Sequence, residues 1–289
     1  MSELTKLKAY CSQLKNFTFL GKIGLIVAGI FWIEGVNHYY QALNLPTTDQ
    51  ASKQVSSATA YRSASQPATL PLNSVFAVPK QFQGKVIRRL ATPENEKIIA
   101  LTFDDGPKPQ TTLPILEILK KYNVKATFFS IGRNLQRYPE IGRKIVAEGH
   151  AIGNHTWSHP TRDQMIDEFT VAQEIDQTDA LIYRTLGVRT SLFRPPGGDL
   201  TNGLAAYAKT KNDGIILWSI DSQDYRVSSL QILHNVLKKT HSGDIVLLHD
   251  GTRNSLATVQ ALPEIIIELK QQGYQFVTVP ELLNLHSVS

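Results

Sequence analysis

The stretch Ile98-Ile-Ala-Leu-Thr-Phe-Asp-Asp-Gly-Pro107 reads as a short apolar strand that ends in two adjacent carboxylates and is then broken by Gly-Pro. Six residues of this kind, bounded by turn formers, suit a buried strand. Asp-Gly-Pro is good turn chemistry on its own, but a turn does not account for a buried strand that ends in two acids. Outward from this stretch, strand-length apolar runs alternate with helical patterns. Strands are expected at Ala126–Ser130, Ala151–Gly153, Leu192–Phe193, Gly214–Trp218, Asp244–Leu248 and Tyr274–Val279. Helices are expected at Thr111–Tyr122, Tyr138–Glu148, Met165–Gly187, Leu204–Lys211, Ser229–Lys239 and Leu256–Gln272. Seven βα units predict an α/β fold, a distorted (β/α)7-type barrel over residues 76–289. In a barrel the C-terminal strand ends share one face, and that face holds the chemistry. Asp104-Asp105, His155, Arg194, Asp221 and His249 each follow a candidate strand.

The 289 residues carry 30 Lys+Arg against 25 Asp+Glu and one cysteine, Cys11. That excludes an intramolecular disulfide framework and a multi-cysteine zinc ribbon, and 42% hydrophobic content excludes global disorder. The net charge of +5 suggests a basic protein, but +3 of it lies in residues 1–75. Lys120-Lys121 and Lys238-Lys239 sit at helix C-termini, where cations are favourable anyway. No nucleic-acid partner is expected.

Residues 1–22 hold Lys6, Lys8, Lys15 and Lys22 before the uncharged run Ile23–Ile33. As a helix these 11 residues reach about 16 Å, short of a roughly 30 Å hydrocarbon core. Starting at Phe17, with Lys22 snorkelling, extends the run to 17 residues, about the lower limit for a span. Three readings stand: an uncleaved signal-anchor, a cleaved signal peptide, or a buried helix. The first two keep the lysine-rich end inside and export the remainder. Residues 1–41 are therefore expected to be a cytoplasmic tail with an N-terminal hydrophobic helix. Residues 42–75, in which Ser, Thr, Ala, Gln and Pro fill 22 of 34 positions, are expected to be a flexible tether.

His155-Thr-Trp-Ser-His159 spaces two imidazoles four apart, which a helical turn would bring to one side. Joined by an Asp at a neighbouring strand end, they make a His₂-carboxylate site with open positions for water. Adjacent acids leaving a strand point different ways, so one of Asp104 and Asp105 can bind metal while the other meets the bound water. His150, His234 and His241 lack ligand spacing to a second His or Cys and are expected at the surface or at helix caps.

Taken together, TFDDGP (102–107), HTWSH (155–159), RPPGG (194–198), DSQDY (221–225) and LLH (247–249) resemble the five ordered motifs of the polysaccharide deacetylases. This is the carbohydrate esterase family typified by chitin, chito-oligosaccharide and peptidoglycan N-acetylglucosamine deacetylases. The resemblance spans about residues 96–285. It implies that Asp105, His155 and His159 hold a divalent metal, zinc first, with Co, Fe or Mn able to occupy the same triad. It further implies Asp104 as general base, Arg194 as its partner, His249 as general acid and Asp221 as the carboxylate that keeps His249 protonated. Gly197, through its backbone N–H, Tyr225 and Leu247 would meet substrate. The family usually has an aromatic residue where Gly197 stands and Trp where Tyr225 stands, which alters the walls that stack on sugars.

The expectation is a metal-dependent N-deacetylase on a single-pass membrane protein, its catalytic domain outside. It would act on N-acetylglucosamine units of a cell-wall or extracellular polysaccharide, and would be secreted if the N-terminal segment is cleaved. The rivals are an O-deacetylase acting on acetylated xylan, a catalytically silent wall-binding protein, and a non-haem iron oxygenase, whose facial triad has the same ligand set.

Overall fold

The computed structural model describes residues 75–92, 96–161 and 167–285. The expected tail and hydrophobic helix (1–41), and the tether up to residue 74, lie outside the described residues. Val75 already belongs to a two-residue strand, β1 (Val75–Phe76), paired in parallel with β6 (Arg189–Thr190).

The main sheet has nine strands: β2 (Val86–Ile87), β3 (Ile98–Asp104), β4 (Thr127–Ser130), β5 (Ala151–Asn154), β7 (Leu192–Phe193), β8 (Gly214–Ile216), β9 (Ile220–Asp221), β10 (Asp244–His249) and β11 (Gln275–Phe276). Their spatial order is β2-β8-β7-β5-β4-β3-β10-β9, and β11 lies along the start of β3. All these pairings are parallel, which requires a crossover between partners. The long crossovers are α1 (Pro109–Lys121), α2 (Gly132–Arg137) with α3 (Pro139–Ala147), α4 (Glu168–Leu186), α5 (Leu204–Thr210), α6 (Ser229–Leu237) and α7 (Ser255–Gln271).

Alternation along β3 explains both its burial and its use. Ile99, Leu101 and Phe103 face outward into a core shared with Ile115, Leu119, Leu262 and Ile266 of α1 and α7. Ile98 and Ala100 face inward and pack with Phe129, Ile216 and Ile245. The inward set continues with Thr102 and Asp104, because successive side chains change sides. The same rule on β10 places Leu247 and His249 with the inward Ile245. Below, the interior is closed by Val279, Leu282 and Leu283 of the C-terminal helix α8 (Val279–Asn284).

The sheet is curled and not closed: its path ends at β2 and β9, which do not pair with each other. The curl is visible in Arg194, which follows β7 yet bonds Thr102 and Asp104 on β3, three strands away along the path. The parallel βα alternation thus holds, and the distortion expected of the (β/α)7-type barrel is this opening between β2 and β9. Three strands are shorter than expected: Ala126–Ser130 and Gly214–Trp218 keep Thr127–Ser130 and Gly214–Ile216, and the third falls furthest short. The run Tyr274–Val279 yields only β11, because Thr278 caps α8 through a reciprocal pair with Glu281, followed by Pro280 in the first turn. Among the described residues no helix is long and apolar enough to cross a membrane.

Leu282 is fully buried as part of the plug, whereas Leu230 on α6 is 75% exposed. In urea unfolding, Leu282→Ala should lose about 3 kcal/mol through lost burial and the cavity left behind. Leu230→Ala should change stability by less than about 0.5 kcal/mol.

Candidate active site

Asp104 ends β3 on the inward face, almost fully buried, and its Oδ1 accepts a hydrogen bond from Arg194 Nη1 at 2.7 Å. The chain then turns at Asp105, whose φ of 76° lies in the left-handed region that non-glycine residues rarely adopt. Bonds from outside the turn hold it there. The Asp105 N–H donates to the Phe129 carbonyl at 3.3 Å, and Asn134 Nδ2 donates to the Asp105 carbonyl at 2.7 Å. The Gly106 N–H donates to Asp250 Oδ1 at 3.0 Å, and a Cβ on Gly106 would sit 2.0 Å from the Asp250 carboxylate. Only glycine admits that approach.

His155 and His159 follow β5, but no helical turn brings them together. The segment is an irregular loop with Thr156 (φ 67°) and His159 (φ 58°) both left-handed. Asn154 Oδ1 accepts from the Thr156 N–H at 2.8 Å and Thr156 Oγ1 from the His159 N–H at 3.0 Å, so two side-chain turns replace helical bonds. The imidazole centroids lie 5.0 Å apart. The two rings do meet, through a loop and not through the helical turn that a spacing of four suggests.

His155 Nδ1 is 2.7 Å from the Arg194 carbonyl, which can only accept, so Nδ1 carries the proton and Nε2 presents a lone pair. That Nε2 is 3.4 Å from Asp105 Oδ1, and His159 Nε2 is 3.3 Å from the same oxygen. Asp105 Oδ1 is buried and receives no hydrogen bond. The ligand atoms of Asp105, His155 and His159 all lie within 4.8 Å of one another. Two ligands about 2.1 Å from one ion, at the tetrahedral angle, stand roughly 3.4 Å apart. An orphaned carboxylate oxygen facing two ring nitrogens at that separation fits a divalent cation.

The electrostatics agree. Burial alone would raise the Asp105 carboxyl, but the facing His155 imidazole, with the charges of His159 and His249, holds it well below the usual carboxylate range. Burial would lower His155, but Asp104 and Asp105 outweigh it and raise it. His159 is pulled down by burial and by His155. Two acids in so small a space favour positive charge between them.

On the neighbouring strand, in register with Asp104, His249 ends β10. Its Nδ1 is 2.6 Å from Asp224 Oδ1, and its backbone N–H donates to Asp224 Oδ2 at 2.7 Å. Burial would lower His249, but the Asp224 bond and charge reverse that and push it up to about 9. The partner is therefore Asp224, and not Asp221 as the motif reading has it. Asp221 ends β9, where its Oδ1 accepts from the Gln223 N–H at 2.8 Å and its Oδ2 from Tyr225 Oη at 3.2 Å. With Gln223 left-handed (φ 59°), this turn swings Asp224 beneath His249. Thr258 Oγ1 also donates to Asp224 Oδ2, at 2.6 Å. The signal was present as the second acid of Asp221-Ser-Gln-Asp224, three residues on from a turn-forming Asp.

The remaining expected residues sit around this centre. The Tyr225 ring stands edge-on to His249 at 5.7 Å and is 43% exposed. Leu247 is buried two residues before His249, on the same face. Gly197 (φ 60°) lines a cavity of about 510 Å³ with His159, Pro160, Leu200 and Thr201, and a Cβ there would meet nothing within 4 Å. His150 is not at the surface: it is 1% exposed, with Nδ1 accepting from the Ala126 N–H at 3.2 Å.

Residues 91–212 match the polysaccharide deacetylase family model. A peptidoglycan-N-acetylglucosamine deacetylase of Bacillus cereus is 45% identical over 195 residues, which span 66% of this chain and 90% of that protein. The peptidoglycan-N-acetylmuramic acid deacetylase PdaC of Bacillus subtilis is 38% identical over 73% of this chain and 42% of its own length. Among solved structures, the Bc1960 peptidoglycan N-acetylglucosamine deacetylase superposes with a TM-score of 0.64 at 37% identity, covering 70% of this chain and 94% of that one.

Because His249 is raised above the ordinary 6.5, its pairing adds stability that is fully present below pH 6.5 and lost as pH rises through about 9. In an NMR titration, Asp224→Asn should move the His249 midpoint from about 9 back towards 6.5. Asp221→Asn should leave it near 9.

Proposed function

The chain belongs to the polysaccharide deacetylase family, and from this we propose that it is a metal-dependent hydrolase that removes N-acetyl groups from N-acetylglucosamine residues of peptidoglycan. The observation that carries the reading is one mouth lined by a carboxylate held by arginine, a His₂-Asp cluster with an orphaned oxygen, and a histidine held by aspartate.

Asp105, His155 and His159 would hold the metal, zinc first. When bound, such an ion lowers the pKa of a coordinated water and polarises the amide carbonyl. Asp104, fixed by Arg194, takes a proton from the attacking water as its oxygen bonds to the acetyl carbon. The C–N bond then breaks, acetate leaves, and His249 delivers a proton to the departing nitrogen. At neutral pH His249 is charged for that task because Asp224 holds it so. Leu247, on the same face as His249, offers an apolar seat for the acetyl methyl group, and Gly197, in the cavity with His159, and Tyr225, against His249, would meet the sugar. An apolar site that excludes bulk water strengthens each of these charges.

The placement we infer is the outer side of the cytoplasmic membrane, with residues 1–41 as tail and anchor. Its support is the apolar run at Ile23–Ile33 with lysines before it, outside the described residues.

The test is acetate release and product mass spectrometry on purified peptidoglycan, chito-oligosaccharide and acetylxylan. Peptidoglycan should release acetate from its N-acetylglucosamine units; acetate from its muramic units would name the other amino sugar. Faster release from acetylxylan would replace the N-deacetylase reading with an O-deacetylase. Sugar binding without turnover in metal-supplemented assays would leave a silent wall-binding protein. A chelator should abolish activity and added zinc restore it, while Asp105→Asn and His155→Ala should stay inactive. Asp104→Asn should lower kcat by about 10²–10⁴-fold.

A further inference from the structure

Glu174 lies on α4, outside the barrel, and takes no part in the chemistry above. It is 7% exposed, and among the described residues no cation pairs with it. A carboxylate removed from water is costly unless hydrogen bonds replace its hydration. Both of its oxygens bond a single residue: Oε2 accepts from the Ser158 N–H at 2.7 Å, and Oε1 accepts from Ser158 Oγ at 2.6 Å. Ser158 immediately precedes His159. The same helix also grips the start of the loop, since Asn154 Nδ2 donates to the Ile175 carbonyl at 2.9 Å and to Asp179 Oδ1 at 2.7 Å. The five-residue HTWSH segment is therefore fastened to α4 just before its first histidine and just before its last.

The grip matters because of what lies between. Thr156 and His159 are both left-handed, which non-glycine residues keep only where the surroundings over-determine them. His159 is also the more exposed of the two histidines, at 32% against 2% for His155. His155 has its own anchor in the Arg194 carbonyl. Among the described residues no carbonyl of another residue receives the His159 ring as Arg194 receives His155, so its place depends on the backbone at Ser158.

We propose that Glu174 is a positioning residue for the metal cluster: by clamping Ser158 it fixes His159 Nε2 opposite Asp105. This rests on the reading of Asp105, His155 and His159 as metal ligands. Supporting groups beyond the ligands are typically worth 10–100-fold in metal affinity.

The test is cobalt(II) binding to the full chain, read by visible absorption with chelator competition, alongside thermal unfolding of the metal-free protein. Glu174→Ala should weaken cobalt binding by about 10–100-fold. Glu174→Gln keeps an acceptor for the Ser158 N–H and an amide for its hydroxyl, so it should recover most of that loss. Raising the metal concentration should restore kcat in Glu174→Ala, with KM for chito-oligosaccharide near the wild-type value. Glu174→Ala that binds cobalt as tightly as wild type would overturn the proposal, whatever its melting temperature. Should Glu174→Ala not fold, Glu174→Asp withdraws the carboxylate from the Ser158 N–H and hydroxyl by one methylene, and unchanged cobalt affinity there would overturn it equally. Wild-type protein that takes up no cobalt would instead sink the metal reading.

Discussion

The Arg194 guanidinium has no exposed surface, and a charged donor fork in such a place must find acceptors on every side. Its Nε donates to the Ile216 carbonyl, Nη2 to the Leu217 carbonyl, and Nη1 to Thr102 Oγ1 and Asp104 Oδ1. The Phe129 ring covers one face, 4.0 Å from Cζ. Burial lowers the Arg194 pKa, and Asp104 opposes that shift. The guanidinium and the Asp104 carboxylate meet at 2.7 Å, so each supplies the buried partner that the other requires. The Arg194 carbonyl meanwhile receives His155 Nδ1 and so sets which ring nitrogen faces Asp105. One side chain thereby ties β8 to β3 across the curled sheet, and its backbone orients a cluster ligand. Breaking a buried pair of this kind leaves an uncompensated charge, at about 3–5 kcal/mol.

Around that tie the mouth is polarised. On one side Asp105 is held below the usual carboxylate range; on the other His249 is pushed up to about 9. Groups whose environments drive their protonation apart can hold an acid and a base ready at the same pH. The separation comes from second partners: two imidazoles for Asp105, and Asp224 for His249. The backbone between the two sides is short-circuited by Asp250. It follows His249 directly, donates its N–H to the Asp104 carbonyl at 3.0 Å and accepts the Gly106 N–H. The two halves of the site are thus one hydrogen-bonded unit.

The sequence revealed those parts that follow from a fixed period. Two-residue alternation on β3 and β10 decides which of Asp104, Leu247 and His249 look inward, and apolar run lengths decide strand against helix. Turns obey no such period. Asp221 and Asp224 are equally good acids on paper, and only the left-handed Gln223 tells which reaches His249. His155 and His159 carry a spacing that a helix would explain, yet the loop reaches the same juxtaposition through Asn154 and Thr156 side-chain bonds. Glu174 looks like any acid on an amphipathic helix until the loop it grips is placed beside it. The strand expected at Tyr274–Val279 shows a local signal overriding a pattern: a capping box with a proline in the next turn outweighs apolar content that would suit a strand.

Among the described residues, six non-glycine positions have positive φ. Asn123 and Asn212 are the residue type that tolerates it and follow helices α1 and α5. The other four, Asp105, Thr156, His159 and Gln223, all sit at the mouth of the barrel. Each such conformation costs of the order of 1–3 kcal/mol and persists only if neighbours hold it. The holders are identifiable: Asn134 on the Asp105 carbonyl, Asn154 on Thr156, Thr156 on His159, and Asp221 on the Gln223 N–H. In each case a short polar side chain, at a strand end (Asn154, Asp221), in a helix's first turn (Asn134) or in the loop itself (Thr156), supplies the bond that regular structure would otherwise have made. The strands fix where the loops begin to within the pleat of a sheet. These side chains then carry that accuracy out to the reacting groups, and the strain at the mouth follows from building a convergent site at the ends of parallel strands.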